Sequence, residues 1–230
     1  MFYFDPMYFV FALPALILAL VAQWRVQAAI KKYSQVLTGR GATGATVARA
    51  MLDGYGLADV RVERTNGFLG DHYDPLSRTL RLSPAVHDTP SVAAVGIAAH
   101  ETGHALQHAE GYLPLQARTA IVPAVQFGSY LGPLVFFLGL LLNVTPLAWA
   151  GVFLFGGVAL FALITLPVEF DATRRAKEVL AGQGYVWGDE MVGVNRVLDA
   201  AALTYVAGLA QALSTLLYYV FILTGGRRRR

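Results

Sequence analysis

Long stretches with no charged side chain alternate with stretches dense in charge, and this alternation organises the whole chain. From Pro6 to Trp24 no charged residue occurs, and at about 1.5 Å per residue such a run crosses the apolar core of a bilayer as one helix. Asp5 is the only charge ahead of it, and no small-residue cleavage site follows. The run therefore reads as a retained first span rather than a cleaved signal peptide. Residues 119–168 again carry no charge, about twice the length that one crossing needs, and Asn143, Thr145 and Pro146 near the middle predict the turn of a helical hairpin. Pro123 and Pro133 predict bends in its first arm, tolerated where neighbouring helices satisfy the freed carbonyls. Ala200 to Leu223 is the last uncharged run, with Tyr218 and Tyr219 at an interfacial level near its end. The pattern predicts a mainly α integral membrane protein with four transmembrane helices. It comprises a first span at 1–24, a water-side segment at 25–118, the hairpin at 119–168, a second water-side segment at 169–199, a fourth span at 200–224 and a basic tail at 225–230.

Within the first water-side segment the periodicity changes. Thr43 to Leu52 places apolar residues at helical spacing and is closed by Gly54 and Gly56, as a short amphipathic helix would be. The runs DVRVER and RTLRLS alternate apolar with polar positions, and GDHYDPLS between them is rich in turn formers, so a small antiparallel sheet is expected there. Thr89 and Pro90 then suggest a cap and first-turn proline for a helix running through SVAAVGIAAHETGHALQHAE to Gly111.

Composition agrees with the membrane reading: 56% of residues are apolar and 14% charged, outside the usual range of a soluble globule. Four crossings place both polar segments on one face. Arg25, Lys31, Lys32, Arg40, Arg118, Arg174, Arg175 and Lys177 flank the spans on that side, which predicts a cytoplasmic polar face in a multi-pass plasma (inner) membrane protein. Arg227 to Arg230 directly after the last span pull the other way. The net charge of +3 is spread among acidic residues, so no nucleic-acid partner is expected. With no cysteine in the chain, disulfides and thiolate metal sites are excluded, leaving histidine and carboxylate as ligands for a transition metal.

His100, Glu101, Thr102, Gly103 and His104 spell HETGH, an HExxH pattern on a segment independently read as helix. Four residues bring the two imidazoles to one face a turn apart, where they can share a zinc ion with Glu101 beside them as general base. The blander reading is two helix histidines packed against a neighbour. A catalytic zinc needs a third protein ligand and an open position. Glu110 lies six residues beyond His104, but Gln107 stands where a chain-turning glycine would be needed, and on an unbroken helix Glu110 points away. Glu169, where the polar chain resumes after the hairpin, is the preferred third ligand, against a role as an interfacial partner of Arg174 or Arg175. His108 is read as a polar neighbour of the site, His72 as either a solvated turn residue or part of the substrate cleft, and Arg196, Tyr205 and Asn195 as candidates to stabilise an oxyanion.

The strings DHYDP, RTLRLSP, SVAAVGIAAHETGHALQHA, LPVEFDATRRA and VLDAAALTYVAG resemble the YugP-type family of membrane zinc metallopeptidases over most of the chain. That family is similar to gluzincins of the HtpX and CAAX-protease type. The resemblance implies His100, His104 and Glu169 as ligands of one Zn2+ and Glu101 as general base, in a small α+β zincin-like domain built from the segments after spans 1 and 3. Thermolysin-like gluzincins carry an aspartate four residues after the glutamate ligand to orient a histidine. Here that position is Thr173, with Asp171 two residues after the glutamate.

Together these readings predict a membrane zinc endopeptidase. Its substrates would be membrane-associated polypeptides at the surface of the lipid bilayer, with RTLRLS pairing an extended substrate at a sheet edge. A non-catalytic zinc-binding scaffold or chaperone-like protein is the rival class. A transporter is disfavoured, because the spans hold no ionisable side chain of the kind that ion and proton pathways use.

Overall fold

The computed structural model describes residues 6–66 and 70–225; the terminal arginines 227–230, and with them the expected basic tail, lie outside that range. The elements in chain order are α1 (Pro6–Tyr33), α2 (Gly44–Gly54), β1 (Arg61–Arg64), β2 (His72–Asp74), β3 (Thr79–Leu82), α3 (Pro84–His87), α4 (Val92–Ala109), α5 (Leu113–Leu141), α6 (Thr145–Gly182) and α7 (Gly188–Gly225). The fold is mainly helical with one small sheet, and α1, α5, α6 and α7 are each long and apolar enough to cross a membrane. By contact the chain divides into two units, one of Met1–Val21, Ala117–Leu166 and Thr204–Arg230, the other of Ala22–Gln116 and Pro167–Leu203.

In the first unit α5 and α6 form the expected hairpin. Asn143 takes a positive φ of 54°, Val144 N donates to Gly139 O at 2.8 Å and Asn143 N to Leu140 O at 3.2 Å. This is a Schellman end with asparagine at the left-handed position. The arms meet through glycines: a Cβ on Gly132 would stand 2.8 Å from Phe155 N, and one on Gly151 2.7 Å from Gly132 O. Phe136 and Tyr219 stack nearby with centroids 4.0 Å apart.

All four long helices run past the uncharged stretches, α5 beginning at Leu113 ahead of Arg118. α1 continues to Tyr33, α6 carries on through Glu169 to Gly182, and α7 starts at Gly188. Pro167 does not end α6. Beyond it Val168, Ala172, Ala176 and Val179 are all buried, and this helical spacing gives the polar half of α6 an apolar stripe of its own. Asp189 and Glu190 occupy the first turn of α7, where acidic side chains suit the helix dipole.

The second unit has one core. Val47, Met51 and Leu52 of α2, Leu80 and Leu82 of β3, Val92, Val95 and Leu106 of α4, Val179 and Leu180 of α6 and Val194 and Leu198 of α7 are buried together. The expected short helix α2 is capped by Thr43, its hydroxyl accepting from Thr46 N. The sheet departs from expectation. Its order is β1-β3-β2, with β1 parallel to β3 and the antiparallel partner of β3 supplied by β2. The turn-rich segment thus holds a three-residue strand, and the two alternating runs lie side by side in the same direction. RTLRLS forms the central strand, both of whose edges are paired, so it cannot receive a substrate strand. Thr89 and Pro90 do not open α4. Ser91 is its N-cap, accepting from Ala94 N at 3.2 Å, while Pro90 O accepts from Thr38 N at 2.9 Å and Val92 N donates to Val36 O at 2.9 Å. The chain before the helix is held extended against residues 36–38.

Candidate metal centre

α4 brings its polar residues to α6 because its sequence is small there. Ala98, Ala99, Thr102 and Gly103 are buried, and a Cβ on Gly103 would stand 2.7 Å from Ala172 O. Only a residue without a side chain admits that approach. The helix then stops where its residues direct: Gly111 has φ 67°, Tyr112 N donates to Gln107 O at 2.9 Å and Gly111 N to His108 O at 3.1 Å, a second Schellman end.

On this contact lie His100 and His104 of α4 and Glu169 of α6, all in the second unit. Glu169 Oε2 is 3.2 Å from His100 Nε2 and 3.6 Å from His104 Nε2, and one potential ligand atom from each of the three residues lies within 4.8 Å of the others. Two atoms bound at roughly 2.1 Å to a tetrahedral ion stand about 3.4 Å apart, so the spacing suits a single zinc. The donor set suits it as well: two neutral imidazoles and a carboxylate leave one tetrahedral position open. Glu169 is only 1% exposed, and a carboxylate so buried requires compensating partners.

Glu101 sits beside the histidines, half-buried, and its side chain forms no hydrogen bond with another described residue. Burial pushes its carboxyl above the ordinary glutamate value, against the pull of His100 and His104. At His104 burial opposes the charged form, but the Glu169 carboxylate 3.6 Å away and the nearby Glu101 outweigh it and lift the imidazole.

Each histidine is also held from behind. Thr173 Oγ1 is 3.2 Å from His100 Nδ1, and Gln107 Oε1 is 3.0 Å from His104 Nδ1. Gln107 Nε2 donates to Val168 O at 2.8 Å and to Asp171 Oδ2 at 2.9 Å. Asp171 thus reaches the site through Gln107, and is itself paired with Arg174 and with Arg175, the latter at 2.6 Å. Glu110 is exposed and paired with Arg175 at 2.8 Å, away from the histidines.

The other expected residues are spread more widely. His108 Nδ1 is 2.9 Å from the Tyr73 hydroxyl, and His72 Nδ1 is 3.1 Å from Gly70 O on β2. Arg196 is exposed on α7, Asn195 beside it half-buried, and Tyr205 belongs to the first unit. Sequence reasoning noted Gln107 only for the glycine it replaces, and Thr173 only as a departure from an aspartate. A polar residue three positions after His104, on the helix face that carries both histidines, was the available signal for Gln107.

Comparison with known proteins supplies a further finding. The sequence profile of the family described as "Putative neutral zinc metallopeptidase" matches residues 8–224. The chain is 47% identical over 222 residues to a protein of Bacillus subtilis (strain 168) named "Putative membrane protease YugP", covering 96% of this chain and 99% of that one. No solved structure matches the chain.

Proposed function

Since the chain belongs to this family of neutral zinc metallopeptidases, we propose that it is a membrane-embedded, zinc-dependent endopeptidase that hydrolyses peptide bonds of membrane or membrane-proximal polypeptides. The observation that carries the reading is the convergence of a buried Glu169 oxygen on two imidazole nitrogens at 3.2 and 3.6 Å, with an unpaired glutamate next to them. His100, His104 and Glu169 would hold one zinc ion. A zinc ion there supplies a Lewis acid that polarises a carbonyl and acidifies water.

The rest falls to the protein. Glu101, its carboxyl raised by burial, takes a proton from the attacking water and passes it to the leaving amine, a shuttle for which a carboxyl shifted toward neutrality is suited. Thr173 and Gln107 keep the imidazoles turned toward Glu169. With β3 in the centre of the sheet, an extended substrate would pair with a free edge, and β2 is the edge strand whose Tyr73 meets His108 of α4. Glu169 lies on the helix that also holds an uncharged membrane run, which favours substrates near the lipid surface. The basic residues flanking the spans favour a cytoplasmic site in the plasma (inner) membrane.

The test is zinc content together with cleavage of an unfolded membrane protein, compared among the native chain, Glu101→Gln and Glu169→Ala. Glu101→Gln is expected to keep zinc and lose cleavage; Glu169→Ala is expected to lose both. A Glu101→Gln protein that still cleaves, or a Glu169→Ala protein with native zinc content, refutes the assignment.

A further inference from the structure

Gln107 is fully buried on α4, and each of its polar groups has a partner whose chemistry is fixed. Val168 O and the Asp171 carboxylate, at 2.8 and 2.9 Å from Nε2, are acceptors, so the amide NH2 must face them. Turning the amide over would set its oxygen against both and leave a buried group unsatisfied, at a cost of about 1–3 kcal/mol. The amide oxygen is thereby committed to His104 Nδ1 at 3.0 Å, and as an acceptor it requires the proton on that nitrogen. Nε2 is then the nitrogen with the free lone pair, and it is the one that faces Glu169. His100 is held differently. Its Nδ1 meets the Thr173 hydroxyl at 3.2 Å, and a hydroxyl either donates or accepts, so that contact orients the ring without choosing its tautomer.

We propose that Gln107 is the positioning residue of the centre: it locks His104 in the tautomer and orientation that present Nε2 to the metal, and Asp171, anchored by Arg175, locks Gln107. The inference rests on the zinc reading above and assigns a role to a residue that the HExxH pattern does not include. It also makes the two ligand histidines unequal, one fixed in tautomer and the other only in direction.

The test is zinc affinity of the purified full-length protein by chelator competition, read with the melting temperature of the metal-free form. Gln107→Met conserves volume and removes the acceptor, and zinc affinity is expected to fall about 10–100-fold. Gln107→Glu keeps an oxygen toward Nδ1 but sets its other oxygen against Val168 O and the Asp171 carboxylate, so it is expected to lower the metal-free melting temperature while losing less zinc affinity than Gln107→Met. Thr173→Val is expected to weaken zinc less than Gln107→Met does. Asp171→Ala, which leaves Gln107 in place but frees its amide to turn over, is also expected to weaken zinc, and it serves as the probe if Gln107→Met fails to fold. Native affinity in a folded Gln107→Met or Asp171→Ala protein overturns the proposal. So does an equal loss in Gln107→Met and Gln107→Glu accompanied by a lower metal-free melting temperature, the mark of a packing role alone. Absence of zinc binding by the native chain is a different result, and sinks the metalloprotease reading itself.

Discussion

Replacing Gly103 with alanine probes whether the spacing of α4 and α6 sets the metal centre. The added Cβ would stand 2.7 Å from Ala172 O and 3.1 Å from Ala172 Cα, whereas carbon contacts settle at roughly 3.5 Å or beyond. The helices must part locally by roughly 0.8 Å, while zinc–ligand distances hold to about ±0.2 Å. Ala172 is one turn from Glu169, and Gly103 lies between the two histidines, so the displacement falls on all three ligands. Overpacking of this kind costs about 1–3 kcal/mol. If most of it is relieved when the ligands separate, zinc affinity drops by about 10–100-fold, at about 1.4 kcal/mol per factor of ten. The assay is chelator competition, with Gly157→Ala as the control, since a Cβ there meets nothing within 4 Å. A Gly103→Ala protein that is folded and binds zinc as tightly as the control refutes the argument that this approach controls the site.

Zinc at a hundredfold excess over its dissociation constant is expected to stabilise the protein by about 2.7 kcal/mol; a melting temperature indifferent to zinc and to chelator counts against the buried centre. Asp74 accepts from Leu76 N, Ser77 Oγ and Arg81 Nη1 at 3.0, 2.7 and 2.9 Å, and the Ser77 and Arg81 bonds hold its carboxyl below the usual 3.8. A depressed folded value contributes stability above pH 3.8 that is lost as pH falls below it. Asp74→Asn should therefore cost about 1–2 kcal/mol at pH 7, and the gap from native should narrow in denaturation curves taken toward pH 3; a gap independent of pH is the contrary result. Gly151→Leu places side-chain atoms against Gly132 O and the Phe136 backbone, with an expected loss of about 1–3 kcal/mol in detergent melting. An unchanged melting temperature would mean the hairpin arms are not packed through their glycines.

What could be read from the sequence depended on the range of the interaction. HETGH was legible because the pairing of His100 with His104 is a property of one helical turn, and α4 could be recognised from its start and stop signals, although the start lies at Ser91 rather than Thr89. The approach of Glu169 to the histidines was legible because charge resumes right after an uncharged run, which favoured it over Glu110 as the third member of the cluster. The Asn143 turn was legible for a similarly local reason. Strand order was not. Alternation in DVRVER and RTLRLS reports which side chains share a face and says nothing about which strand is the neighbour, and His72–Asp74 is too short to register as a strand at all. The extension of α6 past Pro167 was hidden because its apolar stripe at Val168, Ala172, Ala176 and Val179 is interleaved with Asp171, Arg174 and Arg175.

The logic of α4 is clearest along the face it turns to α6. His100, Gly103, His104 and Gln107 fall at i, i+3, i+4 and i+7, the spacing at which an ordinary helix would carry the apolar residues that pack on its partner. Here the four positions hold one histidine of the cluster, a gap, the second histidine and a brace. Gly103 brings the backbone of α6 close at Ala172, and Gln107 spans back to the same helix at Val168 and Asp171, so Glu169 enters between two points that fix the separation. The burial that apolar side chains would have supplied comes instead from the neighbouring small residues, Ala98, Ala99, Thr102 and Ala105. The polar groups on the shared face are tolerable because each is satisfied by another: imidazole by amide or hydroxyl, amide by carbonyl and carboxylate, carboxylate by arginine. A face built in this way has little freedom to be repacked. Exchanging any of the four residues for a better helix former or a larger apolar side chain either parts the helices or leaves a buried donor or acceptor without its partner, which is why, on the zinc reading, both the gap and the brace would bear on metal affinity although neither would touch the metal.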